Sequence, residues 1–147
     1  MKKVQHLITQ KAVVGVAPSD PVLAAAQRMA EDRIGSVLVL DEAGHLAGIF
    51  TERDVMVRVV AAGKDPQTTT VGEVMTREVF TTTPDRGVVE LRREMRARHI
   101  RHIPVVKKGS EERVLAVLGM RDLMRAALEE KREEVSEMTS YIRGEGA

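Results

Sequence analysis

The sequence predicts an α/β (α+β) fold made of two tandem β-α-β-β-α units, packed sheet to sheet about a pseudo-twofold axis. Three observations predict it. Short apolar runs alternate with amphipathic helical patterns in the same order twice. The same turn residues recur at matching places. The displacement between copies is steady, with Met95 lying 66 residues after Met29 and Asp122 lying 68 after Asp54. In a chain of 147 residues neither half buries a core comfortably alone, so the units are expected to share an interface with a cleft suited to a ligand.

The elements follow in order. The apolar run 13–16 leads to Pro18-Ser19-Asp20-Pro21, where Ser19 or Asp20 can cap a helix and Pro21 suits its first turn. Val22, Ala25, Ala26 and Met29 then fall on one helical face, and the pattern stops near Arg33-Ile34-Gly35. Two β-like runs, 36–40 and 46–50, are joined by Asp-Glu-Ala-Gly at 41–44, a good hairpin connection. Thr51 opens a second helix over 52–62 with Val55, Val59 and Ala62 on one side, and Gly63 stops it.

The second copy has the same grammar. Thr83-Pro84-Asp85 matches Ala17-Pro18-Ser19, and Val88, Leu91 and Met95 repeat the apolar stripe. IRHIPVV at 100–106 repeats IGSVLVL at 34–40, and a longer loop turns the offset of 66 into 68. Val114–Leu118 is the second hairpin strand, and Arg121 starts the second helix. The break at Gly63-Lys64-Asp65-Pro66 divides the chain into a first unit over 1–66, a second over 67–128 and a helical extension over 129–147.

Composition narrows the function. The chain is 43% hydrophobic, with Phe50, Phe80 and Tyr141 as its aromatics, so a flat ligand must lie among aliphatic or Met side chains. That argues against aromatic stacking of single-stranded nucleic acid. The 23 basic and 22 acidic residues nearly cancel, so no whole-molecule field points to DNA or a membrane. No cysteine is present, and no apolar run approaches a membrane span or a signal-peptide core. A cytoplasmic protein is expected.

The repeated turn carries the chemistry. Thr51-Glu52-Arg53-Asp54 recurs as Gly119-Met120-Arg121-Asp122, which loses the hydroxyl and keeps the acid. As structure, Thr51 and Asp54 form a capping box, and an acid near a helix start favours the helix dipole by about 0.3–1 kcal/mol. As chemistry, a cleft-facing carboxylate accepts ribose hydroxyls, while free N–H groups of the helix start, with Arg53 or Arg121, meet phosphate. The two readings are compatible.

These twin units, with DRIGSVLVLDEAGHLAGIFTERDV in the first and ARHIRHIPVV…AVLGMRDL in the second, closely resemble a cystathionine-β-synthase (CBS) domain pair, also called a Bateman module. The resemblance spans roughly residues 1 to 128. It implies a regulatory binding module for an adenosine-containing ligand (AMP, ADP, ATP or S-adenosylmethionine) and no enzyme; family members of this size often stand alone. No cofactor is required on that reading. It also implies a homodimer formed through helices, with a downstream protein target left open. The alternative is a ligand-independent dimeric interaction or stress-response scaffold.

Carried over residue by residue, the resemblance implies two sites. One uses Ile49, Thr51 and Asp54 with Thr83, Val88 and Ile103, the last two sandwiching the base. The other uses Val117 and Asp122 with Ala17, Val22 and Val37. Arg101 and His102 stand where some members hold phosphate, and the first unit has Gly35 and Ser36 there. The cations favour the other site, but on its hydroxyls the Thr51/Asp54/Thr83 site is the one expected to bind more tightly.

Further motifs point to bland roles. His99 and His102 lack a third ligand, so no metal site is expected. Arg92, Arg93, Arg96, Arg98 and Arg101 are interleaved with Glu90 and Glu94, which suits a solvated helix face better than nucleic acid. Met56, Met75, Met95, Met120 and Met124 suit core or interface filler. Leu128, Val135, Met138 and Ile142 form a thin helical stripe in the extension, suited to docking on the body or on a second copy.

Overall fold

The computed structural model describes residues 1–8, 13 and 15–144. Of the apolar run at 13–16, Val14 lies outside the described residues, and Gly15–Val16 form strand β1. Helix α1 (Val22–Asp32) follows, then β2 (Ser36–Leu40) and β3 (Leu46–Thr51), giving a sheet of order β1-β2-β3. A single turn of helix, α2 (Glu52–Asp54), passes into a π-helical stretch over Val55–Val60. Helix α3 (Val71–Val74) bridges to the second unit, which has α4 (Val88–Ala97), β4 (His102–Lys107), β5 (Ser110–Gly119) and α5 (Met120–Ile142).

The repeat is exact at the level of backbone pairing. In the first unit Val16 pairs with Val39 in parallel; in the second, Thr82 pairs in parallel with Val105, each residue 66 further on. The left-handed residues that end α1 and α4 also match, with Arg33 at φ 53° and His99 at φ 56°. The units meet where β3 and β5 come into contact.

Each unit has its own core. Val22, Ala25, Met29, Val37 and Phe50 build the first, and Val88, Leu91, Met95, Ile103 and Leu123 the second. The periodicity of the sequence finds these residues. It does not find that the units exchange segments. Val4, in a short 3-10 helix (Val4–Leu7), lies at 0% exposure in the second core, while Val71, Val74 and Met75 pack in the first. The packing thus crosses the boundary drawn at 66/67.

The exchange also caps the helices, which corrects the expectation for Ser19 and Asp20. Helix α1 begins one residue beyond Pro21 without a side-chain cap, and Asp20 instead accepts the Ala17 N–H at 2.9 Å. The free N–H of Val22 donates to Thr69 O at 2.9 Å, and that of Leu23 to Pro66 O at 2.9 Å. In the second unit Val88 N–H donates to Lys2 O at 3.0 Å. Reciprocally, Val71 N–H reaches Asp20 O at 2.9 Å and Val4 N–H reaches Arg86 O at 2.8 Å. Carbonyls distant in sequence therefore do the work that a local hydroxyl does at an ordinary helix start.

Two further differences concern the paired helices. The helix expected over 52–62 is largely π-helical, with Ala61 N–H on Met56 O at 2.9 Å, before Gly63 turns the chain at φ 69°. The helix expected from Arg121 and the extension from 129 form one continuous helix of 23 residues.

The exchange makes a crossed prediction. Val71→Ala should speed amide hydrogen exchange in α1 and β2, and Val4→Ala in α4 and β4. Each should cost about 2 kcal/mol, from two lost methyl groups at about 0.8 kcal/mol apiece plus a residual cavity. Native-state exchange read by mass spectrometry checks it; effects confined to the unit nearest in sequence would contradict the exchange.

Candidate functional site

A cleft of about 1230 Å³ opens where the two units meet. The first unit contributes one side of α1 (Ala26, Met29, Ala30), its left-handed end at Arg33, the segment Ile34-Gly35-Ser36, and Glu52 and Val55. The second contributes Arg101, His102, Ala116, Val117, Gly119, Met120, Arg121, Asp122 and Arg125. Val13 completes the lining.

One backbone device, used twice, builds its floor. Glu52 N–H donates to Gly35 O at 3.0 Å, and Met120 N–H donates to Arg101 O at 2.7 Å. These pairs are repeat equivalents. Each ties the start of a helix to the start of a strand, so that helix N–H groups and strand-start side chains face the same space. Gly35 and His102 touch across the pseudo-axis: a Cβ added to Gly35 would lie 3.0 Å from His102 Cε1 and 3.3 Å from Glu52 Oε1. Burial pushes the His102 imidazole below its ordinary pKa of 6.5; Glu52 and Asp122 pull it up and Arg101 pushes it down. The ring is therefore neutral at pH 7.

The two repeated carboxylates have different environments. Asp54 is 7% exposed and already engaged, with Oδ2 accepting the Thr51 N–H at 3.0 Å while Thr51 Oγ1 accepts the Asp54 N–H at 3.2 Å. Arg58 Nε lies 3.6 Å from Oδ1, and Arg58 is itself anchored on the carbonyls of Val74 and Met75. Asp122 accepts the Gly119 N–H at 2.8 Å and remains exposed in the cleft. The repeat equivalent of Arg58 is Ala126, which carries no charge.

Of the residues singled out in the sequence, the cleft gathers Arg101, His102, Val117, Arg121 and Asp122. Val22, Val37, Val88 and Ile103 lie at 0–1% exposure in the two cores, so in this state they offer no surface to sandwich a base. The stripe spacing that singled them out is also what makes a helix or strand bury that face. Ile49 is bonded along its backbone to Thr76, Arg53 is exposed outside the cleft lining, and Ala17 is held by Asp20. Thr83 donates its hydroxyl to Asp85. Thr51, Asp54 and Thr83, preferred on their hydroxyls, each make local hydrogen bonds and lie outside the lining of this cleft.

Sequence reasoning missed Arg33, Glu52 and Arg125. Arg125 stands three residues after Asp122, one helical turn along the same face, and that spacing was available as a signal. Arg33 and Glu52 offered none, because they reach the cleft through the fold.

The comparisons with known proteins agree with this architecture. The CBS domain family model matches residues 4–61 and 71–129. The chain belongs to the CBS domain family. The mitochondrial CBS domain-containing protein CBSX3 of Arabidopsis thaliana is 34% identical over 129 residues, covering 85% of this chain; the match spans 61% of that relative's length. Among solved structures, the CBS domain pair of protein MJ0100, in complex with 5′-methylthioadenosine and S-adenosyl-L-methionine, is 26% identical with a TM-score of 0.77, covering 88% of this chain and 98% of that one. A CBS domain protein from Pyrobaculum aerophilum complexed with AMP shares the fold, at 22% identity and a TM-score of 0.72, with 82% and 89% covered. No helix among the described residues of this CBS pair is long and apolar enough to cross a membrane.

The unequal carboxylates predict unequal costs. Asp54→Ala should destabilise the fold by about 1–2 kcal/mol, through loss of the cap and of the Arg58 partner. Asp122→Ala should cost less, about 0.3–1 kcal/mol, because it loses an exposed cap hydrogen bond and the helix-dipole interaction but no arginine partner. At about 2–4 °C per kcal/mol the two variants separate by differential scanning calorimetry; equal shifts would contradict the assignment.

Proposed function

We propose that this CBS pair is a regulatory module whose cleft holds an adenosine-containing ligand, with Asp122 on the ribose and Arg101 and His102 on the anionic part. The observation that carries the reading is the exposed Asp122 carboxylate in a cleft that is also lined by Arg101 and Arg121. The adenosine compounds held by the MJ0100 domain pair support the same ligand class.

The test is calorimetric titration of AMP, ADP, ATP and S-adenosylmethionine into the wild type and two variants. Asp122→Ala should lose at least about tenfold in affinity, since a charge-assisted hydrogen bond contributes about 1.5–3 kcal/mol. Asp54→Ala should keep its affinity. The reverse pattern would move the ligand to the other turn.

A second reading, a dimeric scaffold, is favoured by a separate observation. Met56 and Val60 are 60% and 69% exposed, and their repeat equivalents Met124 and Leu128 are 52% and 50% exposed. Val135, Met138 and Ile142 continue that exposure along α5. A twofold partner would cover both helices at once, so the chain is expected to be a homodimer. In light scattering, Met56→Glu combined with Leu128→Glu should give a folded monomer where the wild type gives a dimer. An unchanged mass for the variant would remove these faces from the interface.

A further inference from the structure

The cleft holds more positive charge than its own carboxylates balance. Arg33, Arg101, Arg121 and Arg125 line it with Glu52 and Asp122, four cations against two anions, a local net of +2 with His102 neutral. None of the four guanidiniums has an ion-pair or hydrogen-bond partner among the described residues. Four arginines outside the cleft are paired: Arg28 with Asp32, Arg58 with Asp54, Arg86 with Glu90 and Glu94, and Arg98 with Glu94. The whole chain carries only +1, so the local net of +2 exceeds the charge of the entire protein. A cleft lined by one sign of charge focuses the field on a ligand of the other sign.

The placement of that charge also limits how many ligands fit. Arg101 and His102 share the cleft with their repeat equivalents Gly35 and Ser36, so the cationic centre lies across the pseudo-axis and serves both halves. Both repeated carboxylates accept the N–H at their helix start, but Asp122 is exposed in the cleft, whereas Asp54 is 7% exposed and also faces Arg58.

We propose that the cleft takes one polyphosphorylated adenosine compound per chain, an adenosine triphosphate before the monophosphate, and discriminates against S-adenosylmethionine. The inference rests on the adenosine reading above and adds phosphate number and stoichiometry to it. Each further phosphate meets guanidiniums that are otherwise without partners, and each should raise affinity by about tenfold. S-adenosylmethionine brings a sulfonium and an ammonium against a single carboxylate, and so adds positive charge to a cleft already positive.

The experiment is isothermal titration of the full chain with ATP, ADP, AMP and S-adenosylmethionine in magnesium-free buffer at low and moderate salt. Expected are one ATP per chain, an affinity ladder ATP > ADP > AMP of about tenfold per step, the steepest salt dependence for ATP, and the weakest binding for S-adenosylmethionine. Arg101→Gln with Arg125→Gln should flatten the ladder while circular dichroism shows an intact fold. Two ATP per chain, equal affinity for AMP and ATP, or tight S-adenosylmethionine binding would overturn the inference and leave the adenosine reading standing. No binding of any of the four would overturn both.

Discussion

The geometry of this protein depends on a reciprocal set of backbone hydrogen bonds. Val22 and Val71 of one core exchange N–H groups with Thr69 O and Asp20 O, and Val88 and Val4 of the other do the same with Lys2 O and Arg86 O. Each bond satisfies a group at a helix start that would otherwise be left unpaired in a half-buried place. Because the capping segment of each unit also fills that unit's core, neither core is complete without chain from across the sequence boundary. The relative position of the units, and hence the cleft between them, is fixed by core packing and not by a loose surface contact.

Much of this CBS pair is legible in the sequence because periodicity is local. The stripes Val22/Ala25/Met29 and Val88/Leu91/Met95 are buried as their spacing requires, and the hairpins fall where the turn residues put them. The exchanged segments were hidden because each is a single short turn, and one or two buried Val in four residues give no period to read. The cap of α1 was hidden for a related reason: its acceptors are the carbonyls of Thr69 and Pro66, and every residue has a carbonyl. At the cleft, the repeated Asp was visible in both copies. Their difference was also written there, in Arg58 against Ala126, but it acquires meaning only once a helical turn brings Arg58 beside Asp54.

The repeated frame carries unequal chemistry, and packing explains part of the inequality. At the pseudo-axis two strand starts approach so closely that a methyl group on Gly35 would press on the His102 ring at 3.0 Å. Two copies of a large side chain do not fit in that space. One unit must therefore be small at these positions for the other to carry Arg101 and His102, and symmetry at the axis is broken by volume before it is broken by charge. The carboxylates differ in a similar way: Arg58 lies beside Asp54, while its equivalent Ala126 packs in the second core and leaves Asp122 without an arginine partner on that turn.

The length of α5 has a mechanical consequence. The helix starts in the cleft at Met120–Asp122, and beyond Ala126 no residue of it is buried. Its 23 residues extend for about 34 Å at 1.5 Å per residue. A stiff rod buried at one end magnifies rotation: a tilt of about 5° at the cleft sweeps the far tip through about 3 Å, on the helix dimensions alone. The end that lines the cleft and the end that bears Tyr141 and Ile142 are thus two points on one lever arm.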